Sequence, residues 1–321
     1  MTKKIVSLVT VLFLLCITAI YAATTGSIKM GFVEFISALF DTNNETMAAI
    51  RDLRFPRIIV AIFAGAALSV AGVLLQSIMR NPLADAGVIG ISSGAAFTKL
   101  FIVSMVPSLF FFSPLFAFIG GAFACFLVFA LSWKSGLNPL KLILVGIAIN
   151  AMFTGLTEAL ISFGGSLNAS AASALGSSLS LKTWDDVTII VTYGSIGLLL
   201  AFFMYAWCNI LVLSDKTAQS IGFNVTLARL CIATVAVLLS AVSVVVAGVI
   251  AFVGLLVPHI ARKLVGHDHK ILIPFTAILG ALIILLADTI GRTIIAPIEV
   301  PASTIMAIIG GPFLIFLLRK E

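Results

Sequence analysis

The chain has 321 residues, of which 61% are hydrophobic and only 10% charged. Soluble domains carry about a quarter charged residues, so a soluble enzyme or binding module is excluded, and the even spread of apolar sequence implies one all-α, polytopic membrane domain over residues 1–321. The net charge of +6 does not point to nucleic acid, because the lysines and arginines cluster at the ends of apolar runs, where topology signals belong.

Lys3 and Lys4 precede an apolar run to Ala23 that is longer than a signal-peptide core, so the run reads as an uncleaved first span with its N-terminus inside. Residues 26–52 are amphipathic, with Phe32, Phe35, Ile36 and Leu39 at helical spacing, and are expected on the outer surface. Arg54-Phe-Pro-Arg57 opens the second span, 57–79, whose uncharged run is long enough to cross a bilayer core. Its Ala64, Gly65, Ala66, Ala67, Ser69, Ala71 and Gly72 let neighbouring backbones approach, so this helix is expected to pack on several sides. Proline at position 82 stops it. The chain then turns into a third span, 87–106, and the two are expected to form a hairpin with charged ends.

Further spans cover 114–133, 140–163, 187–208, 229–247, a short 249–264, 271–290 and 302–318. Ten spans return the C-terminus to the inside, so both termini are expected in the cytoplasm. Lys3, Lys4, Arg80, Lys134, Lys141, Lys216, Arg229, Arg262, Lys263, Lys270, Arg319 and Lys320 then fall inside, in keeping with the positive-inside bias. Lys29, Arg51, Arg54, Arg57, Lys182 and Arg292 are left outside. Two connections are longer than a turn requires. Residues 164–186 lie outside and are rich in Ser, Ala and Gly. Residues 209–228 lie inside, and 215–221 read as a short helix stopped by Gly222, part of a docking helix pair on the cytoplasmic face.

The four cysteines lie in or beside apolar helices without a CxxC pair and read as small hydrophobes. No nucleotide-binding GxxxxGK[ST] occurs, so the chain does not hydrolyse ATP by that route. Gly90-Ile-Ser-Ser-Gly94 has the GxSxG spacing of a nucleophile elbow, but the motif needs a strand-to-helix turn and a partner histidine, and here it reads as close helix packing. His267-Asp-His269 reads as a solvated turn rather than a metal site. Asn150, Thr154, Glu158 and Ser162 recur every four residues on one face of the fifth span. At ~1.5 Å rise per residue the stripe is about 18 Å long, and a carboxylate such as Glu158 in hydrocarbon normally faces a cavity or a partner. A translocation pathway and simple interhelical hydrogen bonding both fit. Lys99 is either the partner of Glu158 or a snorkelling lysine. Asp288 and Arg292 stand i,i+4 in the favourable order for a local ion pair. Arg54 and Arg57, rigid around Pro56, read as exposed arginines suited to bidentate capture of carboxylates on a partner.

Arg54-Phe-Pro-Arg57, Asn81-Pro-Leu-Ala84, Gly87-Val-Ile-Gly90 with Ser92 and Gly94, Leu144-Val-Gly146, Phe252-Val-Gly-Leu-Leu-Val-Pro-His259, Ala287-Asp288 with Arg292, and Gly310-Gly-Pro312 occur in order along nearly the whole chain. Together they resemble the iron-chelate and vitamin B12 ABC importer permeases. Ser220-Ile-Gly-Phe-Asn224 and 259–266 look most similar to the Gram-positive haem and siderophore permeases. The resemblance implies the type II importer fold, ten helices per subunit, and a permease dimer (a second copy or a related chain) in the plasma membrane. It also implies two cytoplasmic ABC ATPase subunits, and an extracellular substrate-binding lipoprotein that delivers an iron complex, haem or ferric siderophore. ATP would be bound and hydrolysed by the partners, with no cofactor on this chain and no catalytic residue. Carried over by position, Arg54, Arg57 and Arg292 would meet acidic residues of the binding protein. Asp215, Ala218 and Gly222 would couple to the ATPase, although the family more often has Glu where Asp215 stands. Ser135 and Asn138 would lie in the cytoplasmic gate, and the stripe from Asn150 to Ser162 would line the channel. The rivals from other classes are an ion-coupled secondary transporter using Glu158 with Lys99, and an intramembrane serine hydrolase at Ser92.

Overall fold

The computed structural model describes residues 2–25, 45–132, 139–163, 179–296 and 298–320. In chain order the helices are α1 (Thr2–Thr24), α2 (Glu45–Leu53), α3 (Phe55–Met79), α4 (Ile91–Met105), α5 (Ser113–Ser132), α6 (Pro139–Phe163), α7 (Trp184–Phe203), α8 (Tyr205–Ile210), α9 (Asp215–Ser220), α10 (Val225–Ala247), α11 (Val253–Val265), α12 (His269–Thr293) and α13 (Ala302–Lys320). A 3-10 segment, Pro107–Phe112, joins α4 to α5. Among the described residues seven helices are long and apolar enough to cross a membrane, and α4 and α13 hold shorter apolar stretches. The amphipathic segment around Phe32 and Leu39 lies mostly outside the described residues, as do residues 164–178.

The bundle is built around α3. It packs against α12, α10, α7 and α11 and touches α1, α2 and α8. Small residues make this possible. A Cβ at Gly65 would fall on the carbonyl of Gly280 in α12, and one at Gly72 on the backbone of Gly254 in α11. Ser69 reinforces the first crossing, donating its hydroxyl to Thr276 O at 3.0 Å. In lipid there is no hydrophobic force between helices, so van der Waals contact and hydrogen bonds at such crossings hold the bundle.

Three expectations about the spans change. First, α3 and α4 are not a packed hairpin: α4 begins only at Ile91 and packs on α5, α6 and α10. The proline turn is extended by a tight irregular stretch, residues 80–90, which carries the chain from one neighbourhood to another. Second, the sixth span breaks. α7 ends at Phe203, and a new short helix, α8, starts at Tyr205. Third, the short eighth span begins at Val253 and not at 249: the chain turns at Gly248 (φ 78°) and at Phe252, whose φ of 67° is left-handed although it carries a side chain. A bulky residue holds that conformation only where its surroundings fix it, and the Phe252 ring is lodged against Gly310 of α13, where a Cβ would collide with it.

Candidate translocation and coupling site

The polar stripe lies where the packing leaves room. α6 packs chiefly on α4 and α5. Leu144, Ile147, Ala151, Thr154, Gly155, Glu158 and Ser162 form one continuous exposed face along it, and no atom lies within 4 Å of a Cβ built on Gly155. Asn150 stands at the edge of that face, half-buried against residues 80–90. There a cavity of about 450 Å³ is lined by Leu83, Asp85, Ser92, Ile147, Asn150 and Phe252. Thr154, Glu158 and Ser162 therefore share an open face, while Asn150 belongs to the cavity beside it. Lys99 does not meet Glu158: its Nζ donates to Val245 O at 2.6 Å. Nor does Ser92 meet a histidine. Gly90 caps α4 in the left-handed region (φ 83°), Gly94 packs on Gly120, and His259 stacks edge-on against Phe313.

At one end of the bundle, α9 forms an elbow between α8 and α10. Ser214 caps α9, accepting from Thr217 N, and Gly222 (φ 79°) ends it with open space around its Cα. Ala218 is fully buried and anchors the elbow. Asp215 is 41% exposed, yet it is gripped twice: Arg229 holds both its oxygens at 3.0 Å, and Arg80 lies 2.6 Å from Oδ1. Burial pushes the Asp215 carboxyl up, but Arg229 and Arg80 outweigh it and hold its pKa below the ordinary value. Nearby, His269 is buried rather than part of a solvated turn. Its Nε2 lies 2.8 Å from Ser77 Oγ, and Nδ1 lies 2.7 Å from Asn209 Oδ1. Asn209 also donates to Asp268 at 2.9 Å, tying α8 to α12. Among the described residues no group of His, Cys, Asp and Glu could hold a metal. The gate positions Ser135 and Asn138 lie outside the described residues.

At the opposite end the three arginines are not exposed hooks. Arg54 is 7% exposed and donates to Ala23 O at 2.6 Å. Arg292 donates to Ala22 O. Both thus satisfy carbonyls at the C-terminus of α1, where a helix dipole favours cations. Arg57 grips Asp288 with Nε and Nη2 at 2.9 Å and reaches Glu299 with Nη1 at 2.9 Å. Asp288 therefore pairs with Arg57 of α3 and not with its own helix neighbour Arg292. Glu299 also accepts from Ser180 at 2.5 Å. Its carboxyl is pushed up by burial, but Ser180 and Arg57 prevail and keep its pKa low. The acceptors that hold these arginines belong to this same chain, and Ala22, Ala23 and Asp288 among them are buried.

Several of these partners carry no signature at their own positions. Arg80 reads as an ordinary topology charge, and nothing local marks Glu299 or Arg229. Asp85, an acidic residue beside apolar sequence and 6% exposed, is a signal that the sequence reading passes over.

The FecCD transport family matches residues 12–320. The chain belongs to that family. A protein of Staphylococcus aureus strain MSSA476, named as a heme-iron transport system permease, IsdF, is 39% identical over 319 residues, covering 99% of this chain and 97% of that one. The IsdF of strain Newman is 38% identical over the same span. A solved structure assigned to the metal-chelate type of ABC transporter, in an inward-facing conformation, superposes with a TM-score of 0.82 at 29% identity, covering 98% of this chain and 99% of that one. PsaBC from Streptococcus pneumoniae, solved in complex with Fab, shares the fold with a TM-score of 0.63 at 18% identity over 89% of this chain and 95% of that one. This FecCD member is a multi-pass membrane permease of ABC-importer type and not an enzyme. Family membership favours that reading over an ion-coupled carrier, and the loss of a Glu158–Lys99 pair removes the side-chain argument for one.

Proposed function

We propose that this chain forms half of the conduit of an ATP-driven importer for an iron complex, haem or ferric siderophore. The observation that carries the proposal is the open face of α6, which sets the Glu158 carboxylate with Thr154 and Ser162 on an uncovered side of the bundle. An uncovered stripe bearing a carboxylate is expensive in lipid. It is accounted for if a second permease, a copy or a related chain, closes the pathway across it. The iron cargo is supported by the printed role of the S. aureus relative. Both termini and the α9 elbow are assigned to the cytoplasm, and the Arg57–Asp288–Glu299 end to the outside. The elbow, with Asp215, Ala218 and Gly222, is the docking point for a cytoplasmic ABC ATPase, which binds and hydrolyses the ATP. An extracellular binding lipoprotein delivers the cargo to the outer end. Arg54, Arg57 and Arg292 serve that docking by bracing the platform from within, so reversing Arg54 and Arg57 to Glu is expected to unfold the outer end rather than only weaken docking.

Reconstitution tests the reading. The chain is purified in mild detergent with its co-purifying subunits, placed in proteoliposomes and supplied with haem or a ferric hydroxamate. Uptake is expected only with the ATPase and ATP present. Uphill uptake by the chain alone, driven by a proton or sodium gradient, would overturn it.

A further inference from the structure

Residues 80–90 connect the elbow to the pathway helix by contacts at both ends. At the first end Arg80 closes α3 in the left-handed conformation (φ 47°). Its guanidinium spans the elbow: Nε donates to Leu211 O at 2.7 Å, Nη2 donates to Leu213 O, and Nη2 pairs with Asp215 at 2.6 Å. Only the planar fork of arginine can serve two carbonyls and a carboxylate at once.

The middle of the segment is stiffened by its own bonds. Asn81 Oδ1 accepts from Leu83 N at 2.9 Å, and the N–H groups of Ala84, Ile89, Gly90 and Ile91 donate to Asn81, Asp85, Gly87 and Ala86 respectively. The Asp85 carboxylate lies beside the backbone of Ala86 and Gly87, and its Oδ1 rests against Gly254 at the start of α11. That is the same glycine on which α3 crosses α11 at Gly72. At the far end Val88 and Ile89 lie on Gly146, where a Cβ would come within 2.7 Å of Val88 O. Gly90 lies against Asn150, with 3.1 Å from a Cβ there to the Asn150 N. One short, internally bonded stretch thus touches α9 with its first side chain and α6 with its last backbone atoms.

We infer that residues 80–90 are a strut that carries displacement of the elbow to the middle of α6, with Arg80 as the positioning residue that fastens it to the elbow. The inference rests on the proposed importer reading and deepens it. Movement of α9 would draw on Arg80, and the segment is too tightly bonded to absorb the movement within itself. Its far end bears on backbone at Gly146 and Asn150, with the Ile149 side chain beside them. Packed elements of this kind shift between discrete arrangements rather than deform smoothly.

Hydrogen exchange on the intact complex in nanodiscs, with and without a non-hydrolysable ATP analogue, tests the inference without a variant. Amides of 84–92 and 143–151 are expected to change protection together with those of 211–222. An elbow that responds to nucleotide while 84–92 stays silent overturns the strut alone. Absence of any co-purifying ATPase sinks the importer reading and the strut with it. In the assembled complex, Arg80→Gln is expected to leave ATP hydrolysis in place and reduce uptake roughly tenfold, the scale on which coupling networks act. Arg80→Lys, which keeps the charge but loses the fork, should fall between. A merely structural role would lower melting temperature and subunit retention in step with uptake, and would show no such split. Wild-type uptake in a fully assembled Arg80→Gln complex would count against the assignment.

Discussion

α3 and α6 are both 25-residue helices, each apolar enough to cross a membrane. One is enclosed by protein along almost its whole length, and the other leaves a face uncovered. Hydropathy decides only that each belongs in a membrane. What each meets there is set by the arrangement of its small and polar residues. In α3 the glycines fall at crossings, at Gly65 on Gly280 and at Gly72 on Gly254. In α6 Gly146 and Asn150 take the inner contact, and Gly155 opens onto empty space. α3 is the frame, and α6 is the helix that keeps an open face, the one the proposed function assigns to the cargo.

The sharpest way to break that contrast is to put a side chain where each helix has none. Gly72→Leu would drive a side chain into the backbone of Gly254, which cannot rotate away as a side chain would. Overpacking of this kind costs about 3 kcal/mol or more, and loss of monodisperse protein on size exclusion is the expected result. Arg57→Ala comes next. It strands Asp288, whose side chain is 3% exposed, and breaking a buried pair from one side costs about 3–5 kcal/mol. A large fall in melting temperature checks it, and Asp288→Asn should fall less because no bare charge remains. On the other helix, Gly155→Leu should leave stability within about 0.5 kcal/mol yet reduce uptake, as read by proteoliposome transport beside a thermal melt. An equal loss of stability in Gly155→Leu and Gly72→Leu would erase the distinction between the two helices.

The smallest effect concerns pH. The depressed carboxyl of Asp215 contributes to the elbow clamp fully above the unfolded pKa of about 3.9. That contribution is lost only as pH falls through the lower folded value. Uptake between pH 6 and 8 should therefore not vary through this group, which a pH series on wild type beside Asp215→Asn would check.

Much of the frame was legible in sequence, for a physical reason: the small residues between Ala64 and Gly72 have little use in a lipid-facing helix. The i,i+4 recurrence from Asn150 to Ser162 likewise fixed one face in advance, although not that Asn150 would leave it for the cavity. Arg54 reads as exposed and Arg292 as the partner of Asp288 because their acceptors, the backbone carbonyls of Ala23 and Ala22, are announced by no side chain. Asp288 misled because a favourable spacing to Arg292 along one helix lost to a bidentate grip from Arg57 across the bundle. The sequence pattern puts a break at 80–82 and starts the third span at 87, whereas the helix begins only at Ile91. Asn81-Pro82 marks a reversal, but which helices the chain joins after reversing is a property of the whole packing.

The fastening of α1 sets an order of manufacture. Its C-terminal carbonyl at Ala22 receives Arg292 from a point 270 residues later, and its main neighbour is α12. At ordinary ribosomal speeds, about 5–20 residues per second, the first helix must idle in the bilayer for some tens of seconds before that partner emerges. A nascent chain truncated before α12 should therefore present to the quality-control proteases of the membrane a leading helix held only by Arg54 at Ala23 and by its lighter contacts with α3 and α11.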